Sequence, residues 1–206
     1  MIVGTSGPFI PRLVFTAALA AGADPRQFAA IPSLASVHDD RVRVPTDQFL
    51  RVWEVAQPVL EAAGGAAWVV NQARPGSLHV LDYLVASAAT LADGFDAGVR
   101  RMHVVTSPEE SAVVVRDAVG VTVRYRWPVP DGPVGRLVDE HCPMQWLRLA
   151  RMATGRHIVP VRAELAGPPP ARHADLVEAL GTRNVDFGAP GPSITFSAAD
   201  ARPPLP

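Results

Sequence analysis

Lysine is missing from this chain of 206 residues: all 19 basic side chains are arginine. Against 20 acidic residues they leave a net charge of −1, which argues against a dedicated nucleic-acid-binding module with its basic excess on one face. Cysteine occurs once, as Cys142, so neither an intrachain disulfide framework nor a cysteine-rich zinc site can be built. No apolar run approaches the ~18 residues that span a bilayer; the longest, Leu13 to Ala21, ends at Gly22-Ala23-Asp24. Residues 1–10 lack the basic n-region of a secretory signal. No G-x-S-x-G elbow, P-loop, G-x-G-x-x-G or H-E-x-x-H is present. These absences predict a cytoplasmic protein with no catalytic, cofactor or metal-binding set. Hydrophobic residues make up 48% and charged residues 19%, which is ample for a packed core.

The first hundred residues read as mainly helical. Pro11 suits a first helical turn and Gly22 a residue just past the end. Asp24-Pro25 opens a short helix near Arg26–Ala30. A longer helix starts at Pro45 or Thr46 with a stripe of Phe49, Leu50, Trp53, Ala56 and Leu60, and Pro58 should kink or shorten it. Gly64-Gly65 ends it, and Ala66–Asn71 is readable as either type. Ser77–Ser87 carries apolar residues at helical spacing, and Thr90–Asp93 resembles a capping box. The helix it opens contains Gly94 and Gly98, which weaken it.

Beyond residue 100 the period changes. Ala112–Arg116 and Val121–Trp127 read as a hairpin, with His103–Thr106 as a candidate preceding strand. Val121, Val123, Tyr125 and Trp127 share one face; Arg124 and Arg126 share the other, where Arg116 could join them. A helix beyond Pro133 should kink or break at Pro143. Val159–Leu165 reads as a strand, Arg172–Leu180 as a helix, and Val185–Phe187 and Ser193–Phe196 as short strands. The fold class is α+β: a helical N-terminal half packed on a small antiparallel sheet with two further helices, all in one domain spanning 1–206.

Candidate functional groups are scattered. His38-Asp39-Asp40 reads as a solvated loop rather than a metal site. His79 and Asp82 stand one helical turn apart and could pair. Glu140-His141-Cys142 has the residue types of a nucleophilic site, yet adjacent helical residues point in different directions. Trp53, Trp68, Tyr83, Trp127 and Trp146 are amphipathic bodies that either pack the core or line an apolar pocket.

Several of these segments, taken in order, resemble the N-terminal effector-binding ("arabinose-binding") domain of AraC-type transcriptional regulators. Ala20-Ala21-Gly22-Ala23-Asp24-Pro25 is similar to that family's A-x-G-x-D-P. Arg43-Val44-Pro45 followed by Phe49-Leu50-Arg51-Val52-Trp53-Glu54 is similar to its R-x-P … F-x-R-x-W-E. Ser77 to Tyr83 with Ser87 to Leu91 resembles G-x-L-G-x-L-G-Y … S-x-x-T-L. Leu180-Gly181, Val185–Gly188, Ile194–Phe196 and the closing Pro203-Pro204-Leu205-Pro206 resemble its C-terminal pattern. The chain departs from the pattern at His79 and Asp82, where the family has glycines, and at Gly167, where a histidine is common. Pro143 is a further departure.

The resemblance implies a sensor that binds a small-molecule effector, forms a homodimer, and reaches DNA only through a C-terminal helix-turn-helix domain expected to be absent from this chain. No membrane partner is implied. The expected pocket lies between the helical half and the sheet, lined by His79, Tyr83, Trp127, His141 and Trp146. Two other readings compete: a small hydrolase using His141 or Cys142, and a dimerisation module without a ligand.

Overall fold

The computed structural model describes residues 4–107, 110–127 and 132–206. Strand β1 (Thr5–Ser6) leads into helix α1 (Phe9–Ala20), and short 3-10 turns follow at Pro25–Phe28 and Pro32–Ser36. Strand β2 (Val44–Pro45) pairs antiparallel with β1. Four helices come next: α2 (Thr46–Ala63), α3 (Ala66–Asn71), α4 (Val80–Ala86) and α5 (Leu91–Arg101). The hairpin β3 (Ser111–Arg116) and β4 (Gly120–Arg126) precedes the long helix α6 (Pro133–Thr154). Then come β5 (Arg162–Leu165), α7 (His173–Leu180), β6 (Val185–Phe187), β7 (Ser193–Ser197) and the four-residue α8 (Ala198–Ala201). The α+β class holds. No helix among the described residues is long and apolar enough to cross a membrane.

Prolines shape these helices less than their chemistry suggests. Pro58 lies inside α2 and Pro143 inside α6, and both helices run on through them. Pro58 is exposed, so the carbonyl of Glu54 that it deprives of a partner faces water. Pro143 is buried; there, packing on both sides of the residue holds the helix that local preference would break. Ala66–Asn71 proves helical. The expected strand at His103–Thr106 is instead a 3-10 turn, Met102–Val104, with the Thr106 hydroxyl folded back onto the Met102 carbonyl at 3.1 Å. The capping box forms: Thr90 Oγ1 accepts from the Asp93 amide at 3.2 Å and donates to its carboxylate at 2.7 Å.

The larger sheet has the order β3-β4-β7-β5-β6. It is mixed rather than antiparallel, because β6 lies parallel to β5; α7 provides the crossover that a parallel pair needs. The register pairs Arg116 with Val121, so Arg116 shares the inward face of Val121 and stays apart from Arg124 and Arg126. Its guanidinium reaches Asp93, 3.1 Å away, and Asp96 on α5.

Two apolar clusters fill the molecule. One joins α4, α5, the sheet and the C-terminal half of α6, with Phe95, Trp146, Ile194 and Phe196 at its heart. The other joins α1, α2 and the N-terminal half of α6 through Trp53, Leu60, Trp127, Leu137 and Val138. Ile10 and Tyr125 pack against both.

Gly94 allows α5 to touch α4. A Cβ added there would lie 2.8 Å from the Val85 carbonyl oxygen, a backbone atom. In an exposed helix, Gly→Ala stabilises by about 1 kcal/mol; here overpacking costing about 1–3 kcal/mol opposes it. Gly94→Ala is therefore expected to lower stability by up to about 2 kcal/mol, read as a lower urea midpoint at unchanged slope.

Candidate functional site

Helix α6 carries the polar groups that the core must accommodate. Asp139, Glu140, His141 and Gln145 are all buried, and each meets a different fate. Asp139 accepts hydrogen bonds from the amides of Ala166 (3.2 Å) and Gly167 (3.1 Å), so it pins the loop after β5. Burial raises its pKa, and those two bonds oppose the rise.

His141 is 4% exposed, and neither ring nitrogen has a hydrogen-bond partner among the described residues. The edge of its ring meets Trp53, with centroids 5.3 Å apart. Burial, helped by the positive charge of Arg148, pushes its pKa down to about 3, so the imidazole is neutral at physiological pH. One nitrogen then donates and the other accepts.

One turn along, Gln145 is held by a chain of contacts from α4. Arg148 donates to Asp82 Oδ1 at 2.5 Å and to Gln145 Oε1 at 2.9 Å, while the Leu78 amide donates to Asp82 Oδ2 at 3.2 Å. Arginine can only donate, so the amide oxygen of Gln145 faces it. Its Nε2 is left buried and without a partner among the described residues.

His141 and Gln145 line a small apolar cavity of about 50 Å³, together with Ile10, Leu81, Tyr125 and Trp146. It lies where the two apolar clusters meet. Tyr125 packs against both and donates its hydroxyl to Glu110. Cys142 also lines the cavity; burial, and secondarily the charges of Glu110 and Asp139, push its thiol pKa well up. The thiolate that nucleophilic attack requires is thereby disfavoured, and His141 makes no hydrogen bond to it.

Of the five residues expected to line a pocket, His141 and Trp146 come together here. The other three stand elsewhere. Trp127 is buried in the second cluster, edge-on to Phe49 at 6.0 Å. Tyr83 is 67% exposed. His79 is exposed as well, just before α4, and stacks on Phe9 at 4.8 Å with Nε2 3.9 Å from Asp40. It is the one described non-glycine residue with positive φ, 51°, at a position where the family pattern has glycine. The expected His79–Asp82 pair is not formed, because Asp82 turns inward to Arg148.

Sequence reading missed Gln145. Its signal was available: it follows His141 by four residues on an otherwise apolar stripe, and so shares its helix face. In the His38–Asp40 loop each carboxylate has an arginine, Asp39 with Arg41 at 2.9 Å and Asp40 with Arg12 at 2.7 Å. The Arg41 hydrogen bonds hold Asp39 at about 2. Among the described residues, no group of His, Cys, Asp and Glu could hold a metal ion.

Compared with known families, the chain matches the arabinose-binding domain of AraC transcription regulators, N-terminal, over residues 22–205. No curated protein matches it.

Two outcomes follow from the α6 polar groups. Breaking the buried Asp82–Arg148 pair leaves an uncompensated guanidinium, so Asp82→Ala is expected to lose about 3–5 kcal/mol in urea unfolding. The pH dependence of stability has two opposed parts. His141 has a folded pKa of about 3 against an ordinary 6.5, so its contribution is complete above 6.5 and is lost as pH falls toward 3. Glu140, pushed up by burial to about 7 from 4.5, contributes below 4.5 and loses that contribution as pH rises to 7. Urea midpoints of Glu140→Gln should rise with pH from 3 to 6.5, and those of His141→Phe should fall from 4.5 to 7. Identical profiles for both variants would contradict these assignments.

Proposed function

The chain belongs to the family of arabinose-binding domains at the N-terminus of AraC transcription regulators, and on that premise we propose that it senses an uncharged, largely apolar effector in the cavity beside His141. The family is one of regulatory ligand-binding domains rather than enzymes. The observation that carries the reading is the pair of unpartnered nitrogens on a fully enclosed, neutral imidazole. Each buried polar group without a partner costs about 1–3 kcal/mol, a cost that a ligand hydrogen bond would remove. With both N–H groups of Gln145 Nε2, the site offers three donors and one acceptor inside apolar walls. A compact molecule bearing a carbonyl or hydroxyl, or both a donor and an acceptor as in a lactam, matches that inventory.

A cavity of about 50 Å³ is well below the ~300 Å³ of an ordinary ligand pocket. Effector entry therefore requires α1 and α4 to part from α6, and that displacement is the change a regulator can use. A ligand shifts such an equilibrium only by its difference in affinity for the two states. In this reading the domain works as a homodimer in the cytoplasm and passes the change to a separate helix-turn-helix domain that contacts DNA. The hydrolase reading is disfavoured by the raised thiol pKa of Cys142 and the missing bond to His141.

The test separates sensing from packing. Thermal-shift and calorimetric titrations with small lactams, cyclic ketones and phenols should find wild-type binders that raise the unfolding midpoint. His141→Phe, which removes both unpartnered nitrogens, should stabilise the free protein by about 1–3 kcal/mol and lower affinity for those binders at least tenfold. A dimer that responds to none of the panel would favour the ligand-free dimerisation module. Equal binding by wild type and His141→Phe would move the site elsewhere.

A further inference from the structure

A second and larger cavity, about 430 Å³, opens on another face of α6. Arg136, Leu137, Glu140 and Met144 line it from the helix, roughly a third of a turn away from His141, Gln145 and Leu149. The far wall is the end of α2, the Gly64-Gly65 turn, and the start of α7.

Its charges are paired, with one exception. Arg136 donates to Glu61 Oε1 at 3.1 Å. Arg172 donates to the Glu61 carbonyl at 2.7 Å and lies 3.5 Å from Asp175. Glu140 is only 8% exposed, and among the described residues its carboxylate has neither a hydrogen bond nor an ion pair. A charged carboxylate so placed is costly unless something pairs with it.

The neighbouring turn is built without side chains. Gly64 has φ 124° and Gly65 combines φ 67° with ψ −140°, conformations that L-residues rarely adopt. A Cβ on Gly65 would sit 3.8 Å from Glu140 Oε2 and 3.6 Å from Leu137 Cδ2. The glycine thus leaves open space beside the carboxylate, and Met144, Leu176 and Pro58 supply apolar walls around it. A group able to use this arrangement carries a positive charge, several N–H donors and a short aliphatic body.

We propose that this cleft binds a small organic ammonium ion, with Glu140 as its counter-ion and Met144 and Leu176 against its aliphatic part. The site is independent of the cavity beside His141, which takes an uncharged ligand from the other face of the helix. Binding of an ammonium ion requires the carboxylate form, and burial holds Glu140 partly protonated near neutrality. Association below pH 7 therefore releases a proton. The other charged groups facing Glu140 are Glu61, Asp139, Arg136, Arg172 and Asp175.

Isothermal titration of the whole chain with n-butylammonium, and with n-butanol as the uncharged control, tests the site. At pH 6, titrations in two buffers of different ionisation enthalpy should show release of up to one proton per butylammonium bound, and butanol should bind at least tenfold more weakly. Affinity for butylammonium should rise roughly 25-fold from pH 5.5 to pH 7.5, following the carboxylate fraction of a group near 7. Glu140→Gln, close to isosteric with the protonated acid, should lose at least tenfold in affinity and all of the pH dependence. Absence of binding, equal affinity for amine and alcohol, or binding without proton release in the wild type would each overturn the proposal, whether or not the variant folds. An effect of butylammonium that persists in Glu140→Gln would overturn it as well.

Discussion

A helix enclosed on almost every side cannot leave its polar side chains to water, and α6 is such a helix. Each group on it must find a partner, give up its charge, or stay uncompensated. Asp139 takes the first course through two loop amides, and Arg148 takes it through Asp82. His141 takes the second, and Glu140 approaches it near neutral pH. Gln145 stands between, with its oxygen bound and its nitrogen uncompensated. The uncompensated groups are the ones that face cavities. Stability and receptivity to ligands are therefore in tension within about one and a half turns of one helix.

The position of that stretch matters as much as its chemistry. Leu137 and Val138 belong to one apolar cluster and Met144 to Leu149 to the other, so α6 passes from one to the other near His141. Opening the cavity there displaces contacts of α4 with α6 inside the first cluster as well as contacts between the two clusters. Close-packed interiors resist gradual deformation, whereas a seam permits two discrete arrangements. Asp82 and Arg148 tie α4 to α6 just beyond it, and Asp82 stands where the family pattern has glycine. The departure of Asp82 from glycine thus fixes the orientation of Gln145 in the cavity wall.

Much of the fold was readable from local chemistry. The Thr90 cap, the Asp24 cap over Pro25, the hairpin alternation and the α2 stripe all depend on near neighbours, and each is found. What escaped depends on distant contacts. Pro58 and Pro143 are accommodated by context that no local window contains. Arg116 is placed by register, and β6 by its crossover. Glycine at 94 weakens a helix in isolation, yet here it is what allows two helices to touch. At the candidate site, His141 and Trp146 were evident as amphipathic groups near an apolar stripe. His79 sits at a positive-φ turn and Tyr83 on the outer face of α4, so both face outward, and Trp127 is drawn into the other cluster.

The place of β7 bears on how the chain is made. It is the last strand in sequence, yet it lies at the centre of the sheet, bonded to β4 on one side and β5 on the other. During synthesis, the hairpin and the β5–α7–β6 unit would both exist before anything joins them. Closure must wait for the strand made after all the others of the sheet, with contacts that span large sequence separations, the kind that slow folding. Until then α6 has no finished sheet to lie on, and its uncompensated polar groups remain in water. The two binding faces of α6 would therefore appear together, late and in one cooperative step, so a nascent chain would be blind to ligand until its last strand is threaded into place.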